Sequence, residues 1–302
     1  MNECVLSLCI PTNGVEEWVV PVLDSIYAQC VDEESYEVIV TDNGENESFR
    51  KKMREYKNKY RNFIYKQTEA RQFLNQIEAF RLARGELIKF INHRMLVKHG
   101  TVQYLVDFAK ENVQERPVVF FSNGHLDNMG EMIKCHSFDD YVKKLSYWSS
   151  WSGGLACWKA DFASIPLDMH YNELFPHTDI LFFERNKNEY IINNTLLLEE
   201  IPVGHTLKGR YNLFYAFSVE YLMIISRLLE KKDICVDTFL YIKQENRKFL
   251  SDLYWQFIIR KKKCSYDLTD CEAYLDCYYG AKKIKRGAYL RSAEKLFKII
   301  KR

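Results

Sequence analysis

Three places in this 302-residue sequence set polar side chains at the end of a rigid apolar lead-in or among close-packed rings. The first is G-E-L-I-K-F-I-N-H-R-M-L-V-K at 85–98, where the run Leu87, Ile88, Phe90, Ile91 stops on Asn92, His93 and Arg94. So short an apolar run suits a buried parallel strand better than a helix. In an open α/β sheet the carboxyl ends of central strands face the ligand crevice, so this tip either meets a ligand or is a surface turn. The second is Y-E-V-I-V-T-D-N-G at 36–44. Asp42, directly after a β-branched run, can accept hydrogen bonds from a nucleobase amide or a ribose hydroxyl, or it can open an Asx-turn. The third is W-S-S-W-S-G-G-L-A-C-W at 148–158. Trp faces can cover the apolar side of a sugar ring while paired glycines permit close approach, or Trp148, Trp151 and Trp158 pack the core.

The elements that must position these residues follow from periodicity. Strand-like runs at 5–10, 36–40, 63–65 and 87–91 alternate with helical spacing at 16–29, 48–60 and 72–83. The β-α-β-α-β-α-β order predicts a parallel sheet covered on both faces, with the polar tips of the first, second and fourth strands along one edge. Pro11, Thr12, Asn13 and Gly14 form the break after the first strand. Further on, the sequence predicts a helix at 101–111, a strand at 118–122 with an antiparallel partner at 132–136, and a helix at 139–148. A strand at 190–198 and a long helix at 212–229 follow, and the rest is mostly helical. Neither G-x-G-x-x-G nor a Walker loop is present, so neither NAD nor ATP is supported.

Composition, 47% hydrophobic and 28% charged, is that of a folded protein. Nine cysteines without a C-x-x-C pair suit reduced thiols in a cytoplasm. No leader is expected at the start, and the most apolar stretch, 213–229, carries Glu220 and Arg227, so no membrane span is expected. Residues 281–302 hold nine Lys or Arg against Glu294 alone, and Tyr289, Leu290, Ala293, Leu296, Phe297 and Ile300 recur at helical spacing. Such a helix lies on an anionic membrane surface, gaining roughly 1 kcal/mol per cation, or docks on the body with its cations solvated. The acidic body lacks a basic groove, so nucleic acid is not an expected partner.

L-S-L-C-I-P-T-N-G at 6–14, Y-E-V-I-V-T-D-N-G at 36–44, Asn75 ahead of A-R-G-E at 83–86, and L-I-K-F-I-N-H-R at 87–94 together resemble the nucleotide-binding half of a GT-A family 2 glycosyltransferase. The resemblance covers about residues 5–125. It implies a Rossmann-like, mixed but mostly parallel sheet flanked by helices, with a catalytic domain at 1–210 and a helical region at 211–302. It also implies inverting transfer of a sugar from a nucleotide diphosphate to an acceptor hydroxyl. By position, Pro11, Thr12 and Asn13 would line the nucleotide pocket, Asp42 with Asn43 would hold the base, and Arg71 and Asn75 would face the sugar or diphosphate. Gly153 and Gly154, with Trp151, would border the acceptor.

The chain departs from that family at the tip of its fourth strand. An Asp-x-Asp that holds a divalent cation is expected there, and Asn92-His93-Arg94 stands instead. A hard cation wants carboxylate oxygens, which disfavours manganese or magnesium; Arg94 could bind the diphosphate directly. F-P-H-T-D at 175–179 fits the family's base position, which makes Asp179 the expected base and His177 a lesser candidate. Asp179 in a first helical turn is also favoured by the helix dipole. H-T-L-K-G-R at 205–210 is a glycine-containing loop whose His205, Lys208 and Arg210 either close on the donor phosphates or stay solvated. The expected function is a cytoplasmic, membrane-peripheral glycosyltransferase that extends a surface polysaccharide, such as capsule or O-antigen, or a lipid-linked glycan. The rivals are a metal-dependent transferase using another acid such as Asp127, and an inactive sugar-nucleotide-binding or scaffold subunit.

Overall fold

The computed structural model describes residues 4–126, 130–201 and 209–300, with side chains through 291; Asp127, His205 and Lys208 lie outside the described residues. The chain forms two compact units, one of residues 1–141 and 149–202, the other of residues 142–148 and 203–302.

In the first unit, β1 (Leu6–Thr12), α1 (Glu16–Tyr27), β2 (Tyr36–Asp42), α2 (Glu47–Lys59), β3 (Phe63–Gln67), α3 (Asn75–Leu82) and β4 (Leu87–Phe90) reproduce the expected alternation. After β4 come β5 (Met95–Val97), α4 (Thr101–Asn112), β6 (Val118–Phe121), β7 (Met132–Cys135) and the start of α5 (Phe138–Leu145). The unit is completed by β8 (Ala156–Trp158), α6 (Lys159–Ala163), α7 (Pro176–Leu181), β9 (Tyr190–Asn193) and β10 (Leu198–Glu200). The central sheet runs β3-β2-β1-β4-β8, parallel except for β8. Leu6, Leu8, Ile10, Val38 and Val40 turn one face to α1, α2 and α4, in a core with Val22, Phe49 and Leu105. On the other face Cys9 meets α3 at the Ala79 carbonyl. A sheet buried on both faces demands such nearly continuous apolar strands.

Several elements differ from the sequence reading. β1 does not break at Pro11 but continues in register to Thr12, opposite Asp42. Pairing with β4 ends at Cys9 and Phe90, so the N–H that Pro11 lacks falls where the neighbour has already left. β7 pairs with β9 rather than β6. All four residues of β6 are buried, and its edges are taken by β9 and a bridge to Leu155, which leaves the exposed β7 on the outside. The strand predicted at 190–198 is two strands, β10 joining β5 in a separate antiparallel pair. Gln72 and Ser146, both with left-handed backbone, shorten the helices predicted at 72–83 and 139–148.

The second unit contains α8 (Leu213–Tyr215), a π-helical turn at Ala216–Glu220, α9 (Tyr221–Glu230), α10 (Val236–Leu253), a second π-helical turn at Tyr254–Ile259, α11 (Cys271–Asp276) and α12 (Ala281–Ile300). The long helix expected at 212–229 is present as one continuous helical run that carries a π-helical turn. α12 buries Ala281, Ile284 and Ala288, and a side chain at Gly287 would meet Ser251 Oγ at 2.7 Å, so glycine lets α12 approach α10. Tyr289 and Leu290 face outward with Lys282, Lys283, Lys285 and Arg286. No described helix is long and apolar enough to cross a membrane.

Lys89, in the middle of β4, is fully enclosed. Its Nζ donates to the carbonyls of Phe90 (2.8 Å), Gly153 (2.6 Å) and Leu155 (3.3 Å), and sits 5.5 Å from the Phe121 ring centre. Burial pulls its pKa down to about 7, while three carbonyl acceptors favour the ammonium, which alone has three protons to give. Lys89→Met keeps the stem but strands those carbonyls, and should cost about 2–4 kcal/mol in urea unfolding. A loss below about 0.5 kcal/mol would show that the three bonds contribute nothing net.

Candidate active site

The end of β1 is the meeting point of the predicted residues. The Thr12 carbonyl accepts from Asn43 N (3.1 Å) and from Asn75 Nδ2 (3.0 Å). The Thr12 hydroxyl accepts from Gly14 N (3.2 Å) and shares a proton with His93 Nδ1 (2.9 Å). One residue therefore ties together the ends of β1, β2 and β4 and the start of α3. Pro11 lies beside it in the strand, and Asn13 projects into solvent.

Asn75 is 2% exposed and its amide is committed to the protein. Nδ2 donates to Thr41 O (2.9 Å) as well as to Thr12, and Oδ1 accepts from the Thr68 hydroxyl (2.8 Å). Asn43 donates to the carbonyls of Ala70 (2.8 Å) and Gln72 (3.2 Å) and so fixes the loop that carries Arg71. Asp42 is buried, with Oδ1 taking Gly44 N (2.8 Å) in an Asx-turn and Oδ2 taking the Tyr65 hydroxyl (2.9 Å). Burial raises its pKa, and the two donors with Arg50 oppose that rise. Gly44 packs on the Asn13 carbonyl, which a Cβ would approach to 2.1 Å. The Asx-turn reading of Asp42 holds, and a carboxylate that closes the turn still has lone pairs for a further donor.

At the β4 tip, Asn92 Oδ1 accepts Arg94 N (3.0 Å) and its carbonyl accepts Met95 N (2.9 Å), closing a tight turn. His93 and Arg94 share one support that sequence reasoning missed, Trp18 of α1. The His93 ring lies 5.2 Å from the indole, and the Arg94 guanidinium sits over it at 4.9 Å. Burial first, and Arg94 second, press the His93 pKa down to about 3, so the ring is neutral and Arg94 carries the positive charge. Trp18 stands one residue before Val19 on the buried stripe of α1, and its separation in sequence from 93–94 hid the contact. The residues of this tip do not fit a hard divalent cation: the turn holds no carboxylate, the Asn92 oxygen is engaged and a guanidinium is adjacent. Among the described residues no cluster of three His, Cys, Asp or Glu forms elsewhere either.

The glycine segment and the expected base are joined through α7. His177 Nε2 donates to Ser150 O (2.8 Å) and Thr178 Oγ1 to Ser149 O (3.0 Å), so consecutive residues of α7 grip the 3-10 helical turn leading into Trp151. His177 is buried, its pKa lowered to about 4 by that burial, and its Nδ1 has no hydrogen-bond partner. Asp179 is half-buried, and Oδ2 accepts Asn172 N (2.6 Å). Asn172 Oδ1 in turn accepts from Leu174 and Phe175 (both 2.9 Å), so the carboxylate is oriented by a closed loop. Glu173 in that loop lies 3.7 Å from Arg71, and both are exposed.

Gly153 and Gly154 do admit rings, but the protein's own: a Cβ on Gly153 would come within 2.4 Å of Trp151, and one on Gly154 within 2.1 Å of Phe120. Trp151 stands edge-on to His125 (5.0 Å). Trp158 is core, its Nε1 bonded to Pro117 O at 2.8 Å. Trp148 belongs to the second unit, where it stacks with Tyr147. Arg210 is exposed, also in the second unit. Asn75→Ala removes one of the two donors to the Thr12 carbonyl and the side-chain partners of the Thr41 carbonyl and the Thr68 hydroxyl, so it should lower the unfolding free energy by about 2–3 kcal/mol. Unchanged stability with weakened nucleotide binding would instead make Asn75 a ligand contact.

Residues 7–156 match the family model described as Glycosyl transferase family 2. A curated relative, the poly(ribitol-phosphate) beta-glucosyltransferase of Bacillus spizizenii, is 26% identical over 110 residues, 35% of this chain and 17% of that protein. This chain therefore matches less than a fifth of that relative's length. Among solved structures, S. aureus TarS superposes with a TM-score of 0.54 at 15% identity, over 84% of this chain and 43% of that one. TarS 1-349 in complex with UDP-GlcNAc gives 0.51 at 15% identity, over 74% and 66%. The superpositions show that the chain has a GT-A-type fold, and the sequence match shows that residues 7–156 belong to glycosyltransferase family 2.

Proposed function

We propose that the protein transfers a sugar from a nucleotide-diphosphate sugar to a hydroxyl of an anionic, phosphate-containing surface polymer, with inversion and without a metal ion. The single observation that carries this reading is the guanidinium of Arg94, held over Trp18 at a carboxylate-free strand tip beside Thr12. The donor class is supported by the UDP-GlcNAc in the TarS complex, and the acceptor class by the polymer named for the Bacillus relative.

In this mechanism Asp42 accepts from the base or ribose, with Tyr65 and Gly44 orienting its carboxylate. Arg94 pairs with the diphosphate; a fork-shaped cation matches two phosphate oxygens, and fixed charge there stabilises the leaving group as its negative charge grows. Neutral His93 supplies shape and a hydrogen bond, and Trp18 keeps the guanidinium from turning away. The acceptor oxygen attacks the anomeric carbon opposite the diphosphate, forming the new C–O bond as the C–O bond to phosphate breaks. The nucleoside diphosphate leaves with that electron pair, and Asp179 takes the acceptor proton. The outward face of α12, with four cations beside Tyr289 and Leu290, would rest on the anionic inner surface of a membrane where such polymers are assembled.

Asp179→Asn should lower kcat by about 10²–10⁴-fold in a transfer assay, with donor affinity nearly unchanged. Near-normal turnover would remove Asp179 from the mechanism. Arg94→Ala should lower kcat by about a hundredfold, and Arg94→Lys should recover only part, because an ammonium cannot pair bidentately. Wild-type turnover should survive a chelator. Activity abolished by chelation and restored by manganese would overturn the metal-free reading.

A further inference from the structure

The second unit contains a cavity of about 230 Å³ that the chemistry above does not use. Tyr211, Phe217, Phe249, Phe257 and Tyr266 wall it, and all five rings are half-buried rather than sealed in the core. They are held edge-to-face: Tyr211 on Tyr266 at 5.3 Å, Phe257 on Tyr266 at 5.8 Å, Phe217 on Phe249 at 5.1 Å. A side chain at Gly209 would come within 2.7 Å of the Tyr211 ring. Two of the walls, Phe217 and Phe257, stand on the two π-helical turns, a geometry that is rare and concentrates at functional sites.

Directly after the second turn come Arg260, Lys261, Lys262 and Lys263, all exposed and, among the described residues, without an ion pair. Left-handed backbone at Lys261 bends the chain, and Lys262 and Lys263 line the cavity together with the rings. Aromatic faces favour the C–H face of a sugar or polyol, and uncompensated ammonium groups favour phosphate. The volume is below the roughly 300–1000 Å³ usual for drug-sized ligands, which suits one repeating unit rather than a nucleotide.

We propose that this cavity, with Lys262 and Lys263 at its edge, holds one phosphate-bearing polyol or sugar unit of the acceptor polymer. The inference rests on the acceptor reading above and extends it to a second contact on the same chain molecule. Holding one repeat raises the effective concentration of the others for transfer.

The test uses the full chain and a fluorescent ribitol-phosphate oligomer, with a neutral dextran oligomer of equal length and phosphatidylglycerol vesicles as separate arms. At about 50 mM salt, where exposed charges are weakly screened, Lys262→Glu combined with Lys263→Glu should weaken oligomer binding about tenfold and raise acceptor KM in parallel. Phe257→Leu, which keeps the site apolar, should weaken it several-fold, and dextran should bind far more weakly than the charged oligomer. Thermal unfolding of each variant verifies that the fold is kept. Oligomer binding within twofold of wild type in the double reversal would overturn the assignment, as would a loss confined to the vesicle arm. Should the wild type transfer no sugar to the oligomer, the acceptor reading itself fails. Transfer with wild-type KM in the double reversal defeats the cavity assignment alone.

Discussion

The site depends on how β1 ends. Three strands and the α3 entry have separate polar termini, and without a common anchor their side chains would not hold a fixed relation. Thr12 supplies that anchor by spending both its carbonyl and its hydroxyl, on Asn43 and Asn75 from one side and on Gly14 and His93 from the other. Buried polar groups must be paired, so each of these bonds is enforced by the cost of breaking it. Proline one residue earlier fits because pairing with β4 has already ended there.

At the β4 tip of this edge the charged group is Arg94, while the end of β2 carries the buried carboxylate of Asp42. Trp18 offers one face that serves two neighbours, holding His93 in a surrounding that keeps it neutral and Arg94 in one that keeps it extended over the indole. A cation–π contact contributes about 0.5–2 kcal/mol, enough to bias a long flexible side chain toward one arrangement before a ligand arrives. On the far side of the central strands Lys89 plays a related structural part, a buried cation that binds β4 to the glycine segment through carbonyls alone. The base candidate is fixed in the same spirit, through α7 bonds to Ser149 and Ser150 and through the Asn172 loop.

Much of the sheet was legible because doubly buried strands must read as apolar runs, and 6–12, 36–42 and 87–91 do. The positions of Thr12, Asp42 and His93 at one edge follow from that order. Their partners were not legible: Trp18 and Asn75 act across the fold, and neither periodicity nor spacing encodes which polar tip a helix residue will meet. Lys89 carries no signal in the sequence, because one cation inside an apolar run is marked out only by the three carbonyls that the fold brings to it. The glycine pair was read as room for a ligand, whereas its close neighbours are Trp151 and Phe120. The strand partner of β7 and the π-helical turns were missed because pairing and hydrogen-bond offset are decided by tertiary neighbours, not by local hydropathy.

The central claim is that a guanidinium stands where a metal-bound diphosphate would otherwise be held. Calorimetric titration of a nucleoside diphosphate into chelator-treated protein tests it most directly. The account predicts saturable binding without added metal, unchanged by manganese and lost in Arg94→Ala. Binding that appears only once manganese is supplied, and persists in Arg94→Ala, would contradict it.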